Sequence, residues 1–325
     1  MNILELILLF LVPGDYTKIH KCGRPLGLRE HPDGSLYVVE ASTGLYRVNV
    51  TTKEKKLIPL SKNLEDKSIV YNDVVFDPED ENIAYVTIST TRWGLDRLSY
   101  SIFEHDNSGN VMVIDLKTGD NSIITDGYSI PNGIEITADG KYLLFSVTAE
   151  YLINKISMED VRNVIKTGKK VDPDKVTVFG KPLVGEPDNI RLDKNTGDIL
   201  VGMFTVRPVS KHARDYLGNW PKVRKSIART LYLLSKGFNF MNQYFPNHLF
   251  EQLTFDLYSG HILYKTIPQR DGAVFRLCGK TGQLKSVLGS MIFNSVSEAF
   301  IDENGDLYYG SFRNQFIGRI RKGNY

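Results

Sequence analysis

Cysteine is almost absent from this chain: Cys22 and Cys278 are the two in 325 residues, and they sit at opposite ends. A bridge between them needs a closed ring that makes the first and last repeats neighbours, and two separate thiols are the simpler reading. The six histidines are scattered, so no His or Cys cluster offers a soft metal site. Long apolar runs are missing as well. Residues 3–12 are apolar apart from Glu5, too short to span a bilayer and without the Lys or Arg that opens a signal peptide. No charge of one sign dominates either. A net charge of +2 gives no reason to expect nucleic acid or an acidic partner. No Gly-x-Ser-x-Gly elbow occurs, which argues against a serine hydrolase.

What the chain has is a recurring turn. His31-Pro32-Asp33-Gly34, Asp77-Pro78, Ala138-Asp139-Gly140, Asn195-Thr196-Gly197 and Asn304-Gly305 each lead into a run of apolar residues. Gly34 and Gly140 lie 106 residues apart, twice 53, and Gly140 and Gly197 lie 57 apart. Short strands and turn residues repeating at that period predict an all-β fold of the β-propeller type, one domain over residues 22–325 after an apolar segment 1–21. The 108 residues from Gly197 to Gly305 then hold one blade plus an insertion. Residues 222–250 supply it, a helical insertion near 210–250 in which Val223, Ile227, Leu231, Leu234 and Phe238 recur at helical spacing. Its basic residues Lys222, Arg224, Lys225, Arg229 and Lys236 are expected off that apolar face, so the helix either caps the propeller or lies on a membrane surface.

Before three of the turns stand Asn72-Asp73, Asn132-Gly133 and Asp188-Asn189. Asn72 and Asn132 are 60 apart and Asn132 and Asn189 are 57 apart, so one blade position carries small oxygen-bearing side chains toward the axis. Amide oxygens with one or two carboxylates suit calcium. The same residues also make ordinary turns, and recurrence at the blade period favours the axial cluster. Asn49-Val50-Thr51 is a glycosylation sequon if the chain is luminal or secreted.

Cys22-Gly23-Arg24-Pro25-Leu26-Gly27-Leu28, Tyr71-Asn72-Asp73-Val74, Ile130-Pro131-Asn132-Gly133-Ile134, Glu186-Pro187-Asp188-Asn189-Ile190-Arg191 and Leu307-Tyr308-Tyr309-Gly310-Ser311-Phe312-Arg313 together resemble the strictosidine synthase-like family, in the family's order. The resemblance implies a six-bladed propeller related to the paraoxonases and regucalcin, with a central calcium for which Asn72, Asn132, Asp188 and Asn189 stand at the matching positions. Relatives enter the secretory pathway, which implies a membrane-associated, luminal or extracellular place.

Two departures stand out. Only 21 residues precede Cys22, so most of the family's first blade, with its Gly-Pro-Glu motif, is expected to be missing. Ile88 also stands where the family commonly has an Asp. In plant members a Glu near Glu298 acts as a base, which makes Glu298 the catalytic candidate. The resulting expectation is a calcium-dependent hydrolase of small esters or lactones. The alternative is a non-catalytic luminal or cell-surface propeller used for binding or adhesion. Strictosidine synthase activity proper ranks below both.

Overall fold

The computed structural model describes residues 23–60, 69–207, 216–264, 272–289 and 293–325. Its strands form five antiparallel sheets among these residues, each a meander in chain order. The first holds β1 (Pro25–Glu30), β2 (Leu36–Glu40), β3 (Gly44–Val48) and β4 (Lys55–Leu57); the second β5 (Val70–Phe76), β6 (Ile83–Thr90), β7 (Gly109–Asp115) and β8 (Asn121–Tyr128). The third holds β9 (Pro131–Ile136), β10 (Tyr142–Val147), β11 (Leu152–Ser157) and β12 (Thr177–Val178); the fourth β13 (Gly185–Leu192), β14 (Ile199–Val206), β15 (Ala273–Leu277) and β16 (Leu284–Gly289). The fifth has three strands, β17 (Glu298–Ile301), β18 (Leu307–Gly310) and β19 (Gly318–Ile320).

Every turn singled out in the sequence joins the first strand of a sheet to the second, for a repeated chemical reason. An Asp side chain accepts a backbone N–H two residues on, as Asp33 does from Ser35 at 2.8 Å, Asp77 from Glu79 at 2.8 Å, Asp193 from Asn195 at 3.0 Å and Asp302 from Asn304 at 3.0 Å. Four of the turns then close on a glycine in the left-handed region, Gly34, Gly140, Gly197 and Gly305, with φ of 77°, 69°, 73° and 87°.

The core lies between successive sheets. Tyr37, Val39, Tyr71, Val86 and Met112 fill the space between the first and second, and Tyr85, Val111, Ile134 and Phe145 that between the second and third. Leu144, Ile190, Val201 and Phe275 join the third to the fourth, and Leu200, Val274, Phe293 and Tyr309 the fourth to the fifth. The first strands β1, β5, β9, β13 and β17 are neighbours in that order, which makes them the inner strands.

Five helices interrupt the strands among the described residues: α1 (Leu98–Glu104), α2 (Met158–Thr167), α3 (Pro221–Tyr244), α4 (His248–Tyr258) and α5 (His261–Tyr264). The expected insertion is α3 to α5, between β14 and β15, and it runs on past residue 250. Its docked face differs in part from the predicted stripe. Ala228 and Ser235 are buried, Ile227, Leu231 and Tyr232 pack on Trp93, Tyr100 and Phe103, and Val223 and Leu234 are exposed. Arg224 is not off the docked face as expected, because its Nε donates to the Phe103 carbonyl at 2.7 Å. Cys278 is a free thiol, while Cys22, the apolar segment 1–21 and His212 lie outside the described residues.

Candidate active site

The inner strands carry polar side chains in an otherwise apolar environment, and their pairing shows where these sit. Val70 pairs with Thr90, Pro131 with Val147, and Glu298 with Gly310, so the first residues of the inner strands lie at the end of the sheets where the second strands finish. Asn72, Asn132, Asp188, Asn189 and Glu298 therefore share one end. The helices α1 and α3 leave from the same end, because both follow a second strand.

Each of the three asparagines has its amide nitrogen tied down. Asn72 Nδ2 donates to Ser89 Oγ at 2.9 Å, Asn132 Nδ2 to Thr148 Oγ1 at 3.1 Å, and Asn189 Nδ2 to Glu298 Oε2 at 3.4 Å. The hydroxyls are themselves held by the next inner strand: Ser89 Oγ donates to the Pro131 carbonyl at 2.8 Å and Thr148 Oγ1 to the Pro187 carbonyl at 2.7 Å. One residue pair earlier, Thr87 donates to the Asn132 carbonyl and Ser146 to the Asp188 carbonyl. The second strands thus present hydroxyls at alternate positions, Thr87 and Ser89, then Ser146 and Thr148, that latch one blade to the next. With the nitrogens engaged, the oxygens are turned elsewhere. Asn132 Oδ1 and Asn189 Oδ1 are buried and meet no hydrogen-bond partner.

Asp188 lies beside Asn132. Its carboxyl is pushed up to about 8 by burial and by the nearby carboxylates of Glu298 and Asp73, against the opposing pull of the Asn132 hydrogen bond and Arg191. As a whole residue Asp188 is part-buried. Glu298 is about one-third exposed, at 32%; its Oε1 accepts from Arg191 Nε and its Oε2 faces Asn189.

Beneath these groups runs a charge ladder that the sequence reading did not assign. Arg191 is buried and bonds Asp73 twice, Nη1 to Oδ2 at 2.6 Å and Nη2 to Oδ1 at 3.2 Å. Burial opposes its charge, but Asp73, Glu298 and Glu135 outweigh this and hold the guanidinium above its ordinary value. Arg29 spans β1 to β9, donating to Glu135 Oε2 at 3.0 Å and the Ile134 carbonyl at 2.8 Å. The axis therefore sets two guanidiniums against four carboxylates, Asp73, Glu135, Asp188 and Glu298.

That donor set fits calcium on three counts: unpartnered amide oxygens, more carboxyl groups than guanidiniums, and oxygen as the donor atom throughout. Among the described residues no group of three or more His, Cys, Asp or Glu could hold a metal, so amide oxygens are indispensable to such a site. Ile88 does not face this space. It is wholly buried against Tyr71, Val86 and Met112, so the departure at this position is absorbed as packing. Asn49 stands on an exposed turn, where its side-chain oxygen accepts from the N–H groups of Thr51 and Thr52 at 2.9 Å each. His105, His248 and His261 stay in the loops and the insertion; His261 pairs with Asp256 at 3.0 Å. Cavities of about 390 and 500 Å³ lie elsewhere, one along α3 and one beside Arg29 and Asp77. The axial chemistry is the stronger guide because it alone combines unpartnered donors with a charge imbalance.

Residues 14–219 match the family described as SMP-30/Gluconolactonase/LRE-like region. Adipocyte plasma membrane-associated protein of Danio rerio is 27% identical over 310 residues, covering 93% of this chain and 64% of its own length. That of Homo sapiens is 26% identical over 301 residues, covering 92% and 63%. Protein STRICTOSIDINE SYNTHASE-LIKE 3 of Arabidopsis thaliana is 29% identical over 220 residues, covering 65% and 50%. The resemblance read from the motifs is thereby borne out, and the chain spans less than two thirds of the length of these relatives. Among solved structures, a regucalcin described as a calcium-binding protein, from Agrobacterium tumefaciens, matches with a TM-score of 0.52 at 14% identity, covering 91% of this chain and 70% of its own. That likeness is one of fold, and the fold is propeller-like. No helix among the described residues is long and apolar enough to cross a membrane.

Proposed function

We propose that this chain, which belongs to the SMP-30/gluconolactonase/LRE-like family, is a calcium-dependent hydrolase of the arylesterase or lactonase kind acting on small esters or lactones. The observation that carries this reading is the pair of buried, unpartnered oxygens Asn132 Oδ1 and Asn189 Oδ1 beside the Asp188 carboxyl. Asn72, Asn132, Asp188 and Asn189 would hold the ion. When bound, calcium supplies a Lewis acid that polarises a carbonyl and stabilises an oxyanion.

The remaining work falls to the chain's own residues. Ser89, Thr148 and Glu298 fix the three amides, so the oxygens are oriented before any ligand arrives. Arg191 holds Glu298 by Oε1, and Oε2, on which the Asn189 amide bonds only at 3.4 Å, is the atom that takes a proton from an attacking water. The same reading includes a sixth blade between the first and fifth sheets. It is supported by exposed Phe300, stacked on Tyr308 at 5.2 Å on the fifth sheet. Glycosylation at Asn49 and a place in the secretory pathway belong to this proposal too, supported by the exposed turn and by the relatives' names.

A second reading, a non-catalytic propeller used for binding or adhesion, draws on one observation: Glu298 is engaged at both oxygens, by Arg191 and by Asn189. Hydrolysis of phenyl acetate and of a small lactone by purified protein, with calcium and then with chelator, separates the two. Turnover that is lost on chelation, in Asn132→Ala and in Asp188→Ala, is the expected result. Calcium bound without turnover on either substrate would overturn the enzyme and favour the binding propeller.

A further inference from the structure

The α3–α4 hairpin is apolar on two opposite sides, and the chain covers one of them. The docked side, through Ala228, Leu231, Tyr232 and Ser235, rests on α1 and its neighbours. On the other side Leu233, Phe240 and Tyr244 stand at i, i+7 and i+11, so they share a face, and they are 67%, 60% and 66% exposed. Leu234 and Met241 flank them, and Phe245 at the hairpin tip is 69% exposed. Phe240 and Tyr244 touch each other, with ring centroids 4.9 Å apart, in a cluster that reaches solvent.

Charge points to the occupant. The 24 residues of α3 hold five basic side chains and no Asp or Glu. Arg224 and Arg229 are used within the protein, on the Phe103 carbonyl and on Glu104. Lys222 and Lys225 are exposed in the first turns of the helix, where the macrodipole disfavours cations, so helix stability does not explain them. Lys236 is likewise used within the protein, its ammonium over the rings of Tyr232 and Tyr258 at 5.0 and 5.1 Å. An aromatic-rich apolar face edged by lysines, on a helix about 36 Å long, matches a surface that lies in the headgroup layer of an anionic membrane. A second protein copy would meet the same lysines without an acidic strip on α3 to pair with them.

We propose that the outward face of the α3–α4 hairpin docks on anionic phospholipid, with Leu233, Phe240, Tyr244 and Phe245 entering the bilayer interface and Lys222 and Lys225 contacting phosphate and carboxylate headgroups. This surface is separate from the axial site, although both lie at the same end of the sheets. Docking would hold the axial mouth beside the membrane plane.

The test is co-sedimentation of the full chain with vesicles of phosphatidylcholine alone and of phosphatidylcholine mixed with phosphatidylserine, at low and high salt. Binding to the mixed vesicles alone, weakened by salt, is expected. Phe240→Ser with Tyr244→Ser removes only exposed rings, so melting should be unchanged while vesicle binding falls about tenfold or more. Lys222→Glu with Lys225→Glu should lower it by about tenfold. Absence of vesicle binding, or binding that both double variants retain, overturns the proposal. So does a concentration-dependent dimer in light scattering that the Phe240→Ser, Tyr244→Ser variant loses, because the face would then belong to a second copy.

Discussion

Arg191 and Asp73 lie 118 residues apart in sequence and meet in a two-bond ion pair of 2.6 and 3.2 Å that links the second and fourth sheets past the inner strand of the third. Asp73 has no solvent exposure, and its Oδ2 also accepts the backbone N–H of Ile134 at 3.0 Å. One pair therefore ties three inner strands together at the axis. Removing the guanidinium strands a buried carboxylate. Arg191→Met is expected to cost about 3–5 kcal/mol in urea unfolding, whereas an exposed substitution such as Lys225→Gln should cost about 0.5 kcal/mol or less.

Gly133 marks a close approach of β9 to β13. A Cβ there would stand 2.5 Å from the Cα of Asn189 and 2.7 Å from its carbonyl carbon, so backbone rather than a flexible side chain would have to yield. Gly133→Ala should destabilise the fold by about 1–3 kcal/mol and, by displacing Asn189, weaken calcium binding. Parallel thermal melts with and without calcium measure both effects.

A second buried ion pair controls acid stability. Burial would raise the Asp77 carboxyl, but Arg162, Tyr85 and the Glu79 N–H outweigh it and hold it below its ordinary 3.8. With the folded value depressed, this group contributes stability above the unfolded value, and the contribution is lost as pH falls through the folded one. Melting temperature should thus drop steeply below about pH 4. In Arg162→Met the Asp77 carboxyl is no longer held down, so this acid-linked drop should flatten, and neutral-pH stability should fall by about 3 kcal/mol.

Asp188 behaves in the opposite sense. Its folded value, about 8, lies above the ordinary 3.8, so in metal-free protein its favourable contribution is present in acid and is lost as pH rises through about 8. Asp188→Asn removes that penalty. At pH well above 8 and without calcium, the variant should melt a few degrees higher than the parent, a rare case in which losing a site residue stabilises the chain.

The strands were legible because their turns repeat a local chemistry, an Asp side chain capping the turn and a glycine closing it, that needs no tertiary information. Asn72, Asn132, Asp188 and Asn189 were legible for the same reason, recurring at the blade period, and the structure brings them to one end of the inner strands. The ladder of Arg29, Asp73, Glu135 and Arg191 was hidden because its members answer each other across blades, and no local spacing encodes a partner 118 residues away. Its one signal was charge inside strands that otherwise read as fully buried.

Helix α2 carries a local signal of its own. Ser157 caps it by accepting the Asp160 N–H at 3.1 Å and donating to Asp160 Oδ2 at 2.6 Å, Met158, Val161 and Val164 face the core, and Gly168 ends it at φ 67°. Ile88 was legible as a departure from the family pattern, but its packing was not. Its side chain packs in the cluster between the first and second sheets, a placement that no local spacing encodes.

The central claim is that unpartnered amide oxygens and Asp188 form one calcium site, and a calorimetric titration of calcium into chelator-treated protein at about pH 8.5 tests it most directly. The account predicts one calcium per chain, weakened about tenfold or more in Asn132→Ala and Asn189→Ala and abolished in Asp188→Asn, with Asn49→Gln unchanged. No binding to the parent chain, or equal binding to all four variants, would contradict it.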